Sequence, residues 1–286
     1  MEPQQLILLA FQVSIVLTVF GFGLQATSDD LLYLVRRPGL LTRSLVAMFL
    51  VMPVIAVTLA VMFNLRRAVE IDVVALAISA VPPLLPNKGS KAGGHSSYAL
   101  ALMVIVAVLS IVIVPVAVTL IGWLVGQSLE LAPAVVARVV LTAIVVPVVA
   151  GMAVRAFSPA IADYLEKPLR VVSHVLLPAA VVALLVATAS TIWALADSGT
   201  LLAMTLFVVA GLATGHVLGG PEPDHSVVLA LSTACRHPGI AIGIVTANFP
   251  DVRPGGTILL YLLVAAVICI PYIAWSRRHA AAAVPA

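Results

Sequence analysis

Residues 226 to 249 read SVVLALSTACRHPGIAIGIVTANF, an apolar run interrupted near its centre by Arg236, His237 and Pro238. The run is long enough to cross a bilayer, but proline removes a backbone donor and breaks a regular helix. A second segment, PPLLPNKGSKAGGH at residues 82 to 95, combines proline, glycine and lysine in the same way. Broken backbone at membrane depth occurs where protein or a water-filled cavity satisfies its polar groups. A pair of such segments is typical of a transporter binding site.

The composition indicates a polytopic membrane protein. Of the 286 residues, 62% are hydrophobic and 9% are charged, whereas about 25% of a soluble domain is charged. The N-terminal run lacks the basic region and cleavage site of a signal peptide, so we expect it to remain as the first span. The net charge of +3 comes from residues scattered in short loops, so the bilayer is a predicted partner and nucleic acid is not. The sequence leaves the oligomeric state open.

Hydropathy predicts an all-α polytopic membrane protein with about nine transmembrane helices. The predicted spans cover residues 5–25, 43–64, 71–95, 96–124, 131–154, 170–193, 199–219, 225–248 and 255–275. The links after the first and fifth spans carry leucine, tyrosine and basic residues, which is typical of short helices at the headgroups. The third and eighth spans are the broken ones. They occupy equivalent places, the fourth of five spans, in the two halves of the chain if the first half has lost one leading span. Residues 1–286 are therefore predicted to form one unit of two inverted repeats, about 1–126 and 127–286.

The distribution of basic residues predicts the orientation. With the N-terminus outside, the cytoplasmic segments hold Arg36, Arg37, Arg43, Arg155, Lys167, Arg170, Arg277 and Arg278, and the external loops hold Arg66, Arg67 and Arg253. The excess of eight cytoplasmic over three external basic residues predicts a multi-pass protein of the cell (inner) membrane with its C-terminus in the cytoplasm. Four basic residues remain at apparent membrane depth, and one of them, Arg138, lies near the outer end of its span and could extend to the interface. The other three are Lys88, Lys91 and Arg236, each of which costs about 2.5–3.5 kcal/mol on insertion scales. Such a cost indicates a function for these residues.

The two breaks are predicted to form a site for a small organic anion. Half-helices that begin near Lys88 and near Pro238 would point their N–H groups at the breaks, and Lys88 and Arg236 would add positive charge. The predicted substrate contacts are Asn87, Lys88, Gly89, His237, Pro238 and Gly239. Two alternatives stay open: Lys88 and Lys91 belong to an ordinary polar link, and His237 is a core histidine with its own partners.

These segments resemble the bile acid:sodium symporter family, the transporters of bile acids and other organic anions. The stretch VPPLLPNKGSKAGGHSSYALAL is similar to the family's Pro-Gly-Gly turn and Ser-Asn motif, and ALSTACRHPG is similar to Ala-Leu-Ser-x-Glu-x-Gly-x-Gln-Asn-Ser-Gly. The opening FGFGLQATSDDLLYLVRRPGLLTRSLVAMFLVMP resembles the family's Phe-Gly-Met-Gly-Leu segment, amphipathic link and Met-Pro span. The resemblance implies a panel domain and a core domain with two crossing broken helices. The panel would contain spans 5–25, 131–154 and 170–193, and the core would contain 43–64, 71–95, 96–124, 199–219, 225–248 and 255–275.

The resemblance also implies two sodium ions held by oxygen ligands near the crossing. Aligned on Gly239, the family's glutamate and glutamine fall at Ser232 and Arg236. Aligned on the first break, its asparagine falls at Lys88, and its later serine and threonine fall at Ala101 and Ile105. Because apolar side chains and two cations replace these ligands, sodium coupling is not expected. Lys88 and Arg236 are predicted to be tethered replacements for the two ions; alternatively, Lys88 carries a proton during transport.

The predicted function is secondary transport of a small organic anion by alternating access, without sodium coupling. Two alternatives remain, a sodium:organic-anion symporter with a rearranged site and a non-transporting membrane sensor or scaffold. No zinc-ligand spacing, phosphate loop or nucleophile elbow occurs, so no enzyme, metal or cofactor is predicted. The acids lie in loops or at span ends, and we expect the loop acids to be solvated and Cys235 to serve packing. These loop acids are Asp29, Asp30, Glu222 and Asp224.

Overall fold

The computed structural model describes residues 3–187, 189–195, 198–252 and 255–282, and all regular structure in these ranges is helical, as predicted. Arg253, which contributed to the predicted orientation, lies outside the described residues. The helices are α1 (Pro3–Gln25), α2 (Ser28–Leu32), α3 (Pro38–Val46), α4 (Met52–Met62), α5 (Arg67–Ile78), α6 (Leu85–Lys91), α7 (Ser96–Val125), α8 (Pro133–Val140), α9 (Val146–Phe157), α10 (Pro159–Ala187), α11 (Ala189–Leu195), α12 (Ser198–Leu218), α13 (Pro223–Ala234), α14 (Pro238–Asn248) and α15 (Gly255–Ala282). Two π-helical turns, Ala47–Val51 and Leu141–Val145, join α3 to α4 and α8 to α9.

Six stretches within the described ranges are long and apolar enough to cross a membrane, so the chain is a multi-pass membrane protein. They are Pro38–Met62, Ser96–Val125, Pro133–Phe157, Gly199–Leu218, Pro223–Asn248 and Gly255–His279. Leu9–Gln25 is a shorter apolar helix. The total of nine spans, the repeat boundaries and the external N-terminus stay predictions.

The two predicted interfacial helices have different outcomes. The first is present as α2, because Thr27 caps its N-terminus and Asp30 returns a hydrogen bond to the Thr27 backbone N–H at 2.8 Å. The second does not form a separate helix, since α10 runs unbroken from Pro159 to Ala187 through Pro168. The intervening alanine, leucine, glutamate and lysine residues favour a continuous helix. The expectation of a short independent helix after the fifth span was therefore wrong.

Helices pack both within and between the predicted panel and core, since α8 also contacts α7 and α11 contacts α15. Helix α1 packs against α9 and α10, while α12 packs against α13 and α5 against α14. Gly23 and Gly151 allow α1 and α9 to approach closely, because a Cβ on Gly23 would meet the Val148 carbonyl and one on Gly151 would meet the Phe20 carbonyl. The division into two domains stays a prediction.

The two broken segments meet at their breaks. Residues 79–84 separate α5 from α6, and residues 235–237 separate α13 from α14. The backbone N–H of His237 donates to the Ala80 carbonyl at 2.9 Å and to the Ser79 hydroxyl at 3.1 Å. The Tyr261 hydroxyl accepts from the Arg236 N–H at 2.8 Å and donates to the Ala234 carbonyl at 2.7 Å. Protein groups thus satisfy the backbone that the breaks expose, as membrane depth requires.

Candidate functional site

Arg236 is wholly buried at the crossing, and its guanidinium group holds backbone carbonyls. Its Nε donates to the Leu76 carbonyl at 3.1 Å, and its Nη2 donates to Met48 at 3.1 Å and also to Ala77. Leu76 and Ala77 lie in the last turn of α5, where free carbonyls carry partial negative charge. Met48 lies in a π-helical turn, which departs from the regular hydrogen-bond ladder. Among the described residues, Arg236 Nη1 has no partner.

Lys88 lies inside the other half-helix, α6, three residues after its start. Its Nζ donates to the Sγ of Cys235 at 3.3 Å, and Cys235 is the residue that ends α13. The Cys235 Sγ lies 3.8 Å from the Sγ of Cys269, and both thiols are free and buried. Cys235 therefore contacts Lys88 in addition to the packing role expected from the sequence.

The start of the first half-helix differs from the prediction. Helix α6 begins at Leu85, with Pro86 in its first turn, and not near Lys88. The Lys88 N–H is consequently used inside the helix, where it donates to the Leu84 carbonyl at 3.3 Å. Gly89 is buried, and a Cβ there would contact Ala99. The expectation that N–H groups near Gly89 point at the break was wrong, since proline favours the first helical turn.

The second half-helix begins at Pro238, where the sequence placed it. His237 caps α14, and its Nδ1 accepts from the Ile240 N–H at 3.4 Å. Its Nε2 is buried and has no hydrogen-bond partner among the described residues. Pro238 and Gly239 are half-buried. Of the substrate contacts predicted in this segment, His237 therefore has a side-chain nitrogen that remains available for a hydrogen bond to a solute.

The other positions that replace the family's sodium ligands offer little to an ion. The Ser232 hydroxyl donates to the Val228 carbonyl of its own helix at 2.6 Å. Ala101 is wholly buried, and Ile105 is half-buried. Lys91, in contrast, is exposed.

A cavity of about 300 Å³ lies between α1 and α10 on one side and α6 and α7 on the other, which is the lower end of the usual size for small-molecule sites. Asn87 is the one predicted substrate contact that lines it. The other polar lining residues are Thr18, Gln25, Asp30, Ser90, Ser96, Ser97 and Glu166. Sequence reasoning missed these residues because they lie on five separate helices and share no signal beyond a polar side chain.

Both acidic groups of this cavity have protein partners. Asp30 accepts a hydrogen bond from the Ser97 hydroxyl at 2.5 Å, and Glu166 accepts from the Gln25 amide at 3.1 Å. Burial raises the pKa of Asp30, but hydrogen bonds from Ser97 and Thr27 outweigh it, so its pKa lies below the ordinary value. The carboxylate is therefore charged at neutral pH. The expectation that Asp30 is simply solvated was wrong, whereas Asp29 makes an exposed ion pair with Arg36 at 2.9 Å.

Asp72 is a buried acid that the sequence analysis placed among residues of span ends. It lies in the second turn of α5, is 0% exposed, and neither carboxyl oxygen has a hydrogen-bond partner among the described residues. The side chain of the buried Thr257 lies close to this carboxyl group. An ionisable residue buried in a membrane protein marks a functional candidate by default, so Asp72 joins Lys88 as a possible proton carrier.

Residues 12–196, more than half of the chain, match the Sodium Bile acid symporter family. The chain belongs to this family. The family consists of transporters and not of enzymes, and it implies a membrane setting and a small organic solute. The matched region includes the first broken segment but ends before the second, so the match does not include Arg236 or His237. A search of curated proteins finds no match to the chain.

Proposed function

We propose that the protein is a secondary transporter that carries a small organic solute by alternating access and does not couple to sodium. The observation that carries the proposal is the wholly buried Arg236 on the carbonyls of Met48, Leu76 and Ala77. Carbonyl oxygens are ligands for hard cations, and here a guanidinium group already supplies the positive charge. Arginine does not lose its proton in proteins, so this charge is permanent.

Lys88 and Arg236 each contact the end of a helix in the opposite broken segment. This arrangement supports the interpretation of both residues as tethered ions. Arg236 directly follows α13 and its neighbour Cys235, but its donors reach the end of α5. Lys88, in α6 after the first break, reaches Cys235 at the end of α13. Each half-helix C-terminus carries partial negative charge, and each receives a cation from the opposite broken segment.

Two alternatives have less support. Sodium symport needs a cluster of oxygen ligands, yet the Ser232 hydroxyl is already bonded within α13 and Ala101 offers no ligand atom. For a sensor that binds without transport, a site on one rigid body would suffice. The cavity instead lies between α1 and α10 on one side and α6 and α7 on the other. Its position couples solute binding to relative movement of these groups, which favours transport.

The lining of the cavity bears on whether the solute is an anion, an uncharged molecule or a cation. An organic anion, as expected from the sequence, must reach positive groups at the crossing. In the conformation described here, Lys88 and Arg236 contact protein groups, and the cavity is lined by neutral polar side chains and by the carboxylates of Asp30 and Glu166. This lining favours an uncharged or cationic polar solute. An anion would bind only in a conformation in which the crossing opens to the cavity.

Flux into proteoliposomes tests the proposal. Three solutes of similar size, a monoanion, an uncharged polyol and an amine, would each be offered under a sodium gradient, a potassium gradient and a pH gradient. Uptake of at least one solute that ignores sodium is expected, whereas stimulation by sodium alone would refute sodium independence. Binding without flux would support the sensor. A dependence on the pH gradient that disappears in Lys88→Met or Asp72→Asn would identify the proton carrier.

A further inference from the structure

We propose that His95, Asp224 and His225 form a site for a transition-metal dication such as Zn²⁺, a site separate from the cavity and independent of the proposed transport. One ligand atom of each residue lies within 4.8 Å of those of the other two. Two imidazole nitrogens and one carboxylate are ligands that zinc prefers, and calcium and magnesium instead select oxygen. His95 is far in sequence from the adjacent Asp224 and His225, so no spacing motif could have indicated the set.

The separation of the ligand atoms is close to that of a metal-bound set. Three atoms no more than 4.8 Å apart all lie within about 2.8 Å of a common point, and zinc–ligand distances are about 2.0–2.2 Å. Side-chain movements of about 0.7 Å would therefore complete the coordination. The backbone already holds the two segments together, because the His95 N–H donates to the Asp224 carbonyl at 3.3 Å.

Existing hydrogen bonds indicate which atom of each side chain a metal would use. His95 Nδ1 accepts from the Tyr98 N–H at 3.4 Å, so the ring proton lies on Nε2. Binding of a metal through Nε2 would move that proton to Nδ1 and break this long hydrogen bond. Asp224 Oδ1 accepts from the His225 N–H at 2.9 Å, which leaves Oδ2. His225 Nε2 lies 2.7 Å from the Tyr33 hydroxyl, which leaves Nδ1. His225 fits the usual pattern of a metal-binding histidine, in which the second nitrogen donates its N–H to a partner that orients the ring, here the Tyr33 hydroxyl.

Glu222 supplies the fourth ligand in this arrangement. Its Oε2 lies 3.4 Å from His225 Nδ1, close to the separation of about 3.3 Å that two ligands of one tetrahedral zinc ion have. The surrounding charge also suits a cation. Glu222, Asp224 and the nearby Asp30 are balanced only in part by Arg37, which lies over the Tyr33 ring, and by Arg43.

The site would join three parts of the chain. His95 caps α7, and Asp224 and His225 belong to the first turn of α13. Tyr33 follows α2 in the link after α1, and its ring lies 4.4 Å from that of His95. An ion at this point would hold the ends of α7 and α13 together and, through Tyr33, fix the link.

Metal binding to the purified, tag-free full-length protein tests the inference. After treatment with a chelator, Zn²⁺ would be titrated by calorimetry against wild type, His225→Gln, Asp224→Asn and the control His216→Gln. The control is matched, because His216 also lies 2.8 Å from a tyrosine hydroxyl, that of Tyr272. We expect one Zn²⁺ per chain, an affinity about tenfold or more weaker in the two site variants, and no change in the control.

Cobalt provides a readout that does not depend on the folding of a variant. Co²⁺ held by nitrogen and carboxylate ligands in a tetrahedral site gives intense visible absorption, and Zn²⁺ should abolish it by competition. No binding of Zn²⁺ by wild type would overturn the inference. So would equal affinity of His225→Gln and His216→Gln, or a Co²⁺ spectrum indistinguishable from that of the aqueous ion.

Discussion

Replacement of Arg236 by glutamine tests the tethered-ion proposal directly. The change removes a permanent charge and restores the residue type that the resemblance places at this position in sodium-coupled relatives. Glutamine is shorter and has two N–H donors, whereas Arg236 holds three carbonyls, those of Met48, Leu76 and Ala77. The Leu76 carbonyl keeps the N–H and the hydroxyl of Ser79 as donors. Because glutamine is shorter than arginine, we expect the Met48 or the Ala77 carbonyl to lose its charged donor.

The expected loss of stability follows from these contacts. A hydrogen bond to a charged group contributes about 1.5–3 kcal/mol, and an unpaired buried acceptor costs about 1–3 kcal/mol. Relief from burying an arginine without a carboxylate partner offsets part of this cost. We expect a net decrease of about 2–4 kcal/mol in the free energy of unfolding. If the variant binds sodium, the ion at a hundred times its dissociation constant would restore about 2.7 kcal/mol of the lost free energy of unfolding.

Denaturation of purified protein in mixed micelles would measure both effects, in sodium and in potassium at equal ionic strength. Arg138→Gln is the control, because Arg138 also lies in a membrane-spanning helix but is exposed. The control should behave as wild type, which should not distinguish sodium from potassium. Specific stabilisation of wild type by sodium would refute the reasoning, since the ion would then bind elsewhere. A fully stable Arg236→Gln would show that the carbonyls do not need the guanidinium group.

Three further substitutions test other contacts. Asp72→Val should raise the free energy of unfolding by about 1–2 kcal/mol, because it removes a buried acid whose oxygens have no partner among the described residues; a less stable variant would show that Asp72 is satisfied. Asn87→Ala should weaken solute uptake in proteoliposomes with little change in melting temperature. A large decrease in melting temperature together with the loss of uptake would show that Asn87 has a structural role. Gly215→Leu should prevent folding or lower the melting temperature strongly, because a Cβ there would collide with Ala230 in α13; a normal melting curve would contradict the close packing of α12 and α13.

The helical fold and the two breaks could be predicted from local sequence. Long apolar runs specify spans, and prolines beside glycine and cations specify the interruptions, so residues 82–95 and 232–243 indicated both broken segments. The exact start of α6 could not be predicted as easily. The segment contains Pro82, Pro83 and Pro86, and each of them could precede a helix; the structure places Pro86 in the first turn.

The candidate site was only partly accessible to sequence reasoning. Arg236 could be singled out because a cation flanked by apolar residues is costly, but its carbonyl partners depend on the crossing of segments about 160 residues apart. The lining of the cavity depends on helix packing that has no local signature. Asp72 lies near the end of a predicted span, where no buried acid was expected, yet the neighbouring helices bury it completely.

The fixed position of Arg236 has an energetic consequence for the transport cycle. A bound sodium ion leaves on the far side and dissipates its gradient, whereas a charge that is covalently part of the chain returns with the chain and does no net work. Without a proton to take the place of sodium, the carrier can only equilibrate its solute. The direction of flux would then follow the electrochemical difference of the solute, and the membrane voltage at which net flux reverses would report the charge of the solute alone.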